Sequence, residues 1–135
     1  MLALSNIGYT YARMNGWARA FSYLEDALDL ARKAGELRLE AGVLQNLGET
    51  HLAVADHDRA LGDLEAALAI RRRIGDRRKE VETFTLLGLV HRARGDEATA
   101  RIRLREALAA SRELGDRHLE TATLAHLRVT PADRQ

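Results

Sequence analysis

A chain of 135 residues, 46% of them apolar, can bury a core of its own. Its formal net charge of +1, from 21 Lys+Arg against 20 Asp+Glu, lacks the basic excess of a dedicated nucleic-acid or membrane-surface binder. The absence of cysteine excludes disulfide scaffolds, thiolate zinc sites, iron–sulfur clusters and cysteine nucleophiles.

Alanine and leucine fill a third of the chain and aromatics only 4%, a composition that favours helix over sheet. Apolar residues at three- and four-residue spacing predict helices over 2–14 and 17–34, separated by Asn15-Gly16. Gly35-Glu36 then breaks the pattern before a helix over 37–54, in which Leu44, Leu47, His51 and Val54 recur on one face. Asp56 is placed to cap a helix over 57–74. Gly75 suits a left-handed end to that helix, and Asp76 caps the next, over 77–94. Asp96 opens 97–114, and Gly115-Asp116 repeats the junction before a last helix over 117–129. Pro131 ends the order, and 131–135 are expected to form a disordered tail.

The chain resembles itself at a shift of forty residues. Gly8, Gly48 and Gly88 coincide, as do Ala20, Ala60 and Ala100, Leu24, Leu64 and Leu104, and Ala27, Ala67 and Ala107. Gly35, Gly75 and Gly115 also coincide, and Glu40, Glu80 and Glu120 close the units. The repeats are 1–40, 41–80 and 81–120, each a pair of helices, and the helix over 117–129 caps them. Glycine and alanine at fixed positions let paired helices approach closely, while the intervening leucines fill the space between. The expected fold is all-α: a right-handed α-solenoid of three tandem helix-turn-helix repeats plus a C-terminal capping helix, one domain over 1–130.

The repeat resembles the tetratricopeptide repeat. The first unit shows Leu4, Ile7-Gly8, Tyr11, Ala20, Leu24 and Ala27 at the pattern positions. The second shows Leu44, Leu47-Gly48, His51, Ala60, Leu64 and Ala67, and the third Phe84, Leu87-Gly88, His91, Ala100, Leu104 and Ala107. Leu or Phe stands where the family has a tryptophan-like residue, and Arg32, Arg72 and Arg112 replace its late proline, so the second helix runs on to the glycine. This longer form, ending in Gly-Asp-Arg-x-x-Glu, is similar to that of G-protein-signalling modulator adaptors and of bacterial AfsR/SARP-type regulators.

No catalytic constellation stands beside the repeat. His51 and His91 share the position of Tyr11 and read as packing residues, and no histidine pair has metal-ligand spacing. Ser5, Ser22 and Ser111 lack a nucleophile-elbow setting, and no phosphate-binding glycine loop exists. Glu25, Asp26 and Asp29 read as a solvated helix face on which Asp29 pairs with Lys33. The basic run Arg71, Arg72, Arg73, Arg77, Arg78 and Lys79 reads as helix-end electrostatics and a solvated edge, not a nucleic-acid site. Neither enzymatic activity, nor a metal, nor any cofactor is expected. No apolar run is long enough to span a bilayer and no signal-peptide pattern opens the chain, so no membrane association and a cytoplasmic location are expected.

The resemblance implies a concave surface lined by the first helix of each repeat, where relatives bind peptides. Carried over by position, that groove comprises Leu2, Ser5, Asn6, Tyr9 and Arg13, then Gln45, Asn46, Glu49 and Leu52, and finally Thr85, Leu89 and Arg92. The carboxylate clamp of the chaperone-binding relatives is missing, since its asparagine position holds Tyr9, Glu49 and Leu89. The leading expectation is a non-catalytic interaction module taking a protein or peptide partner in this groove. The alternative is a regulatory or self-associating segment of a larger bacterial transcriptional regulator, with Leu2, Leu4 and Ile7 at an open N-terminal end available for homo-oligomerisation.

Overall fold

The computed structural model describes residues 2–128. They form α1 (Leu2–Arg13), α2 (Trp17–Ala34), α3 (Leu37–Ala53), α4 (His57–Ile74), α5 (Arg77–Ala93), α6 (Glu97–Leu114) and α7 (Arg117–Leu127), with no strand among them. The fold is all-α, tandem helical hairpins of the α-solenoid class. Position 129 of the expected capping helix and the expected tail over 131–135 lie outside the described residues.

Each helix starts and stops for a local reason. Asp56, Asp76, Asp96 and Asp116 accept hydrogen bonds from the backbone N–H groups of Arg59, Lys79, Thr99 and Leu119, so α4 to α7 all begin on a carboxylate cap. Gly16 and Glu36 precede α2 and α3 without a side-chain cap. At the other ends, Gly35, Gly75 and Gly115 adopt φ near +70° (68°, 71° and 68°). The N–H groups of Glu36 and Asp116 reach back to the carbonyls of Ala31 and Ser111 at 3.0 and 3.1 Å, satisfying carbonyls that the helix leaves open.

The turns inside the repeats use the same device one residue earlier than the sequence reading has it. Helices expected to end at 14, 54 and 94 end at Arg13, Ala53 and Ala93. The cause is a left-handed residue at each turn: Asn15 at φ 62°, Ala55 at φ 61° and Gly95 at φ 85°. The next N–H, of Gly16, Asp56 or Asp96, closes onto Tyr11, His51 or His91 at 2.7–2.9 Å.

The chain divides into two compact units, Met1–Ile74 and Gly75–Gln135. In the first, α1 packs on α2 and α3 on α4 as antiparallel hairpins, and α2 packs on α3. Its centre is Leu24, Ala27, Val43 and Leu47, with Leu4, Phe21, Leu28 and Leu39 around it. The repeat glycines set the hairpin spacing. A Cβ on Gly8 would lie 2.8 Å from Leu24 Cγ, and one on Gly48 would lie 2.7 Å from Leu64 Cγ. In the second unit α5 packs on α6 and α6 on α7, and a Cβ on Gly88 would meet Leu104 Cγ at 2.8 Å.

One repeat position carries different chemistry in each hairpin. Tyr11 and Tyr23 stack at 5.6 Å between ring centroids. Forty residues on, His51 Nδ1 lies 2.6 Å from Asp63 Oδ2, and the imidazole packs on Phe21 at 4.6 Å. Burial pushes the Asp63 carboxyl above the ordinary carboxylate range, against the pull of His51. In the third repeat His91 is again half-buried, with Arg103 at the opposing position. The Arg/Glu residues that close the units also meet: Arg32 pairs with Glu40 at 3.3 Å and Arg112 with Glu120 at 2.9 Å, each joining a second helix to the next first helix.

Candidate partner-binding surface

Within the basic run of 71–79, Arg72, Arg73 and Arg78 are exposed while other members are engaged by neighbouring side chains. Arg71 is buried, contrary to the solvated edge expected of it, and donates to Gln45 Oε1 at 3.3 Å. Its slot is held by Ala31 and Ser111 in the other repeats, so its stem fills core space while the guanidinium seeks polar partners. Arg77 bridges Glu80 and Glu113, Arg78 pairs with Asp116 and Lys79 with Glu82.

The expected groove residues separate into distinct environments. On α1, residues 9, 12 and 13 share a face by helical spacing, and on α3 residues 46, 49, 50 and 53 do the same. These faces meet at a cavity of about 160 Å³. Tyr9, Ala12 and Arg13 form one wall, Asn46, Glu49, Thr50 and Ala53 the other, and Trp17, the first residue of α2, closes the end. Four of the expected residues, Tyr9, Arg13, Asn46 and Glu49, therefore share one concavity within the first unit.

Hydrogen bonds order its walls. Asn46 Nδ2 donates to Ser5 Oγ at 3.3 Å, tying α3 to α1, and Gln45 Nε2 donates to Glu49 Oε1 at 3.4 Å. Arg13 Nη1 donates to the Tyr9 hydroxyl at 3.3 Å, with the guanidinium carbon 5.8 Å from the Tyr9 ring centroid. Among the described residues, no carboxylate pairs with Arg13 and the Trp17 indole N–H has no hydrogen-bond partner.

The remaining expected residues sit elsewhere. Ser5 is buried, its hydroxyl engaged by Asn46. Leu2 is 63% exposed, and Asn6 borders a separate open hollow of about 400 Å³ with Ile7, Thr10, Tyr11 and Met14. Leu52 is half-buried on α3. Thr85, Leu89 and Arg92 belong to α5 in the second unit, where all three are half-buried. Arg92 is fully occupied there: it grips Glu97 through two contacts of 2.9 and 2.8 Å and donates to the His126 carbonyl at 2.9 Å. Trp17 is not legible as a site residue from a groove confined to first helices, since this tryptophan opens a second one. Its being the chain's one tryptophan was the available signal.

Among the described residues, no helix is long and apolar enough to cross a membrane. The sequence profile of the tetratricopeptide repeat matches residues 1–73 and 39–113. No curated protein matches the chain. Among solved structures, the crystal structure of BtubC (BKLC) from P. vanneervenii is similar, at 27% identity and a TM-score of 0.78, over 84% of this chain and 47% of that one. The chain thus spans about half the length of that relative. Tetratricopeptide repeats generally mediate protein–protein interaction and are generally non-catalytic scaffolds. With its profile matched across both helical units and its repeat glycines seated on leucines, the chain belongs to the tetratricopeptide repeat family.

Proposed function

We propose that the chain is a non-catalytic interaction module that takes a segment of a partner protein on the first-helix face of its Met1–Ile74 unit. The observation that carries this reading is the cavity in which Tyr9, Arg13, Asn46 and Glu49 converge. It combines aromatic area with side chains that can donate and accept hydrogen bonds, the mixture that concentrates binding energy in a few residues. Asn46 keeps its side-chain carbonyl for a peptide N–H while its amide group is held by Ser5.

Selection of displayed random peptides on the whole chain tests the reading. Enriched sequences should lose binding to the double variant Tyr9→Ala and Asn46→Ala, whose substitutions spare the repeat glycines and leucines, and keep it with Arg73→Gln. Peptides that bind both variants equally would place recognition elsewhere.

A second reading, self-association such as a segment of a larger regulator would need, is favoured by the outer face of α1. There Ile7 and Met14 are 40% and 69% exposed beside the open hollow. A mass that rises with concentration by light scattering, and reverts to monomer in Ile7→Arg, would support it.

A further inference from the structure

We infer that the cavity of the first unit recognises an acidic side chain, an aspartate or glutamate within a partner segment, with Arg13 as its counter-ion and an adjoining apolar residue against Tyr9 and Trp17. This rests on the interaction reading above and adds the chemistry of the partner. The basis is the junction between first and second helix, compared in the first and third repeats. In the second unit an arginine in the last turn of the first helix, Arg92, is met by a carboxylate on the first residue of the second helix, Glu97. Both oxygens of Glu97 are engaged, and this contact holds its carboxyl below the ordinary range.

The position of Glu97 in the first repeat is Trp17, and that of Arg92 is Ala12, which Arg13 follows in the same last turn of α1. An arginine still ends the first helix, but an indole stands where the third repeat has the carboxylate. Arg13 rests against the Tyr9 ring and hydroxyl, which hold it at the cavity wall without neutralising it. A planar guanidinium with open donors is matched by a carboxylate, which can accept two parallel hydrogen bonds. Arg13 stands on the α1 wall, so that wall is where the docked carboxylate sits. Tyr9, Trp17, Ala12 and Ala53 supply the apolar flank that an isolated anion would not use.

Trp17 is the sole tryptophan, so its emission reports the cavity directly in the intact chain. The probes are short peptide pools, acetylated and amidated at their ends, rich in leucine together with aspartate and glutamate, or with asparagine and glutamine, or with lysine. The acidic pool should shift Trp17 emission saturably and bind at least about fivefold more tightly than the amide pool. Arg13→Gln should remove that preference, Arg13→Lys should restore part of it, and Arg73→Gln should leave it intact. Equal response to the acidic and amide pools would overturn the acidic anchor while leaving the interaction reading standing. Binding of the acidic pool without a Trp17 response, or undiminished in Arg13→Gln, would overturn it in favour of a diffuse charge effect. Silence toward every pool would overturn both readings together.

Discussion

At the scale of single residues, the fold is most sensitive where a side chain is missing. A methyl group on Gly48 would come within 2.7 Å of the Leu64 branch carbon and 3.4 Å of the Ala60 carbonyl, neither of which can swing aside like the end of a long chain. Gly48→Ala should destabilise the protein by about 1–3 kcal/mol, read as a lower urea midpoint with an unchanged slope. Ala55 presents the opposite case, an alanine held at φ 61° where the third repeat has Gly95. Ala55→Gly relieves the clash between its Cβ and backbone and should stabilise by about 0.5–1 kcal/mol in the same assay. The glycine contacts were legible because the forty-residue shift exposes Gly8, Gly48 and Gly88 as a set. The left-handed turn was not, because Asn15 and Ala55 disguise a position that only Gly95 announces.

At the scale of helices and hairpins, the same slot is filled by interchangeable pairs. The His51–Asp63 contact is sheltered, with side-chain exposures of 12% and 22%, so it is far less screened by water than a surface pair. A double-mutant cycle with His51→Phe and Asp63→Leu should give a coupling of about 1–2 kcal/mol, with Asp63→Leu in the phenylalanine background costing less than in the parent. The sequence marked position 51 as a packing residue through its alignment with Tyr11. It did not mark Asp63 as the partner, because Tyr23, Asp63 and Arg103 share no residue type and repeat comparison rewards identity alone. Helix boundaries were legible for the reverse reason: aspartate caps and glycine ends are local chemistry, readable without knowing what packs against what. The cavity needed the assembled hairpins, since α1, α2 and α3 each contribute a side that no one helix defines.

For the whole molecule, acid should act unevenly. Hydrogen bonds hold Asp96 and Asp116 below the usual carboxylate range as helix caps, and Arg92 does the same for Glu97, all in the second unit. A carboxyl depressed in the fold binds its proton more readily once unfolded. The stability it contributes is present above its unfolded pKa and is lost as pH falls through its folded one. Asp63, in the first unit, is shifted the other way, so protonation favours the folded form there. On lowering the pH through the carboxylate range, amide exchange should accelerate first in α5–α7, while Trp17 emission still reports an intact first unit. Simultaneous loss would show that these shifted groups do not set the order of acid unfolding.

The seating of Gly8, Gly48 and Gly88 on leucine branch points also bears on how such a protein changes over evolutionary time. The residues that fix hairpin spacing are small and buried, and none of them borders the cavity formed by Tyr9, Arg13, Trp17 and Asn46. Substitutions of the cavity's exposed members, Tyr9 and Arg13, leave the helix spacing untouched, so they are little filtered by their effect on folding. Recognition can therefore drift from one ligand to another through single steps along a viable path, while the scaffold beneath stays constant. A lineage carrying this spine is free to rewrite what it recognises.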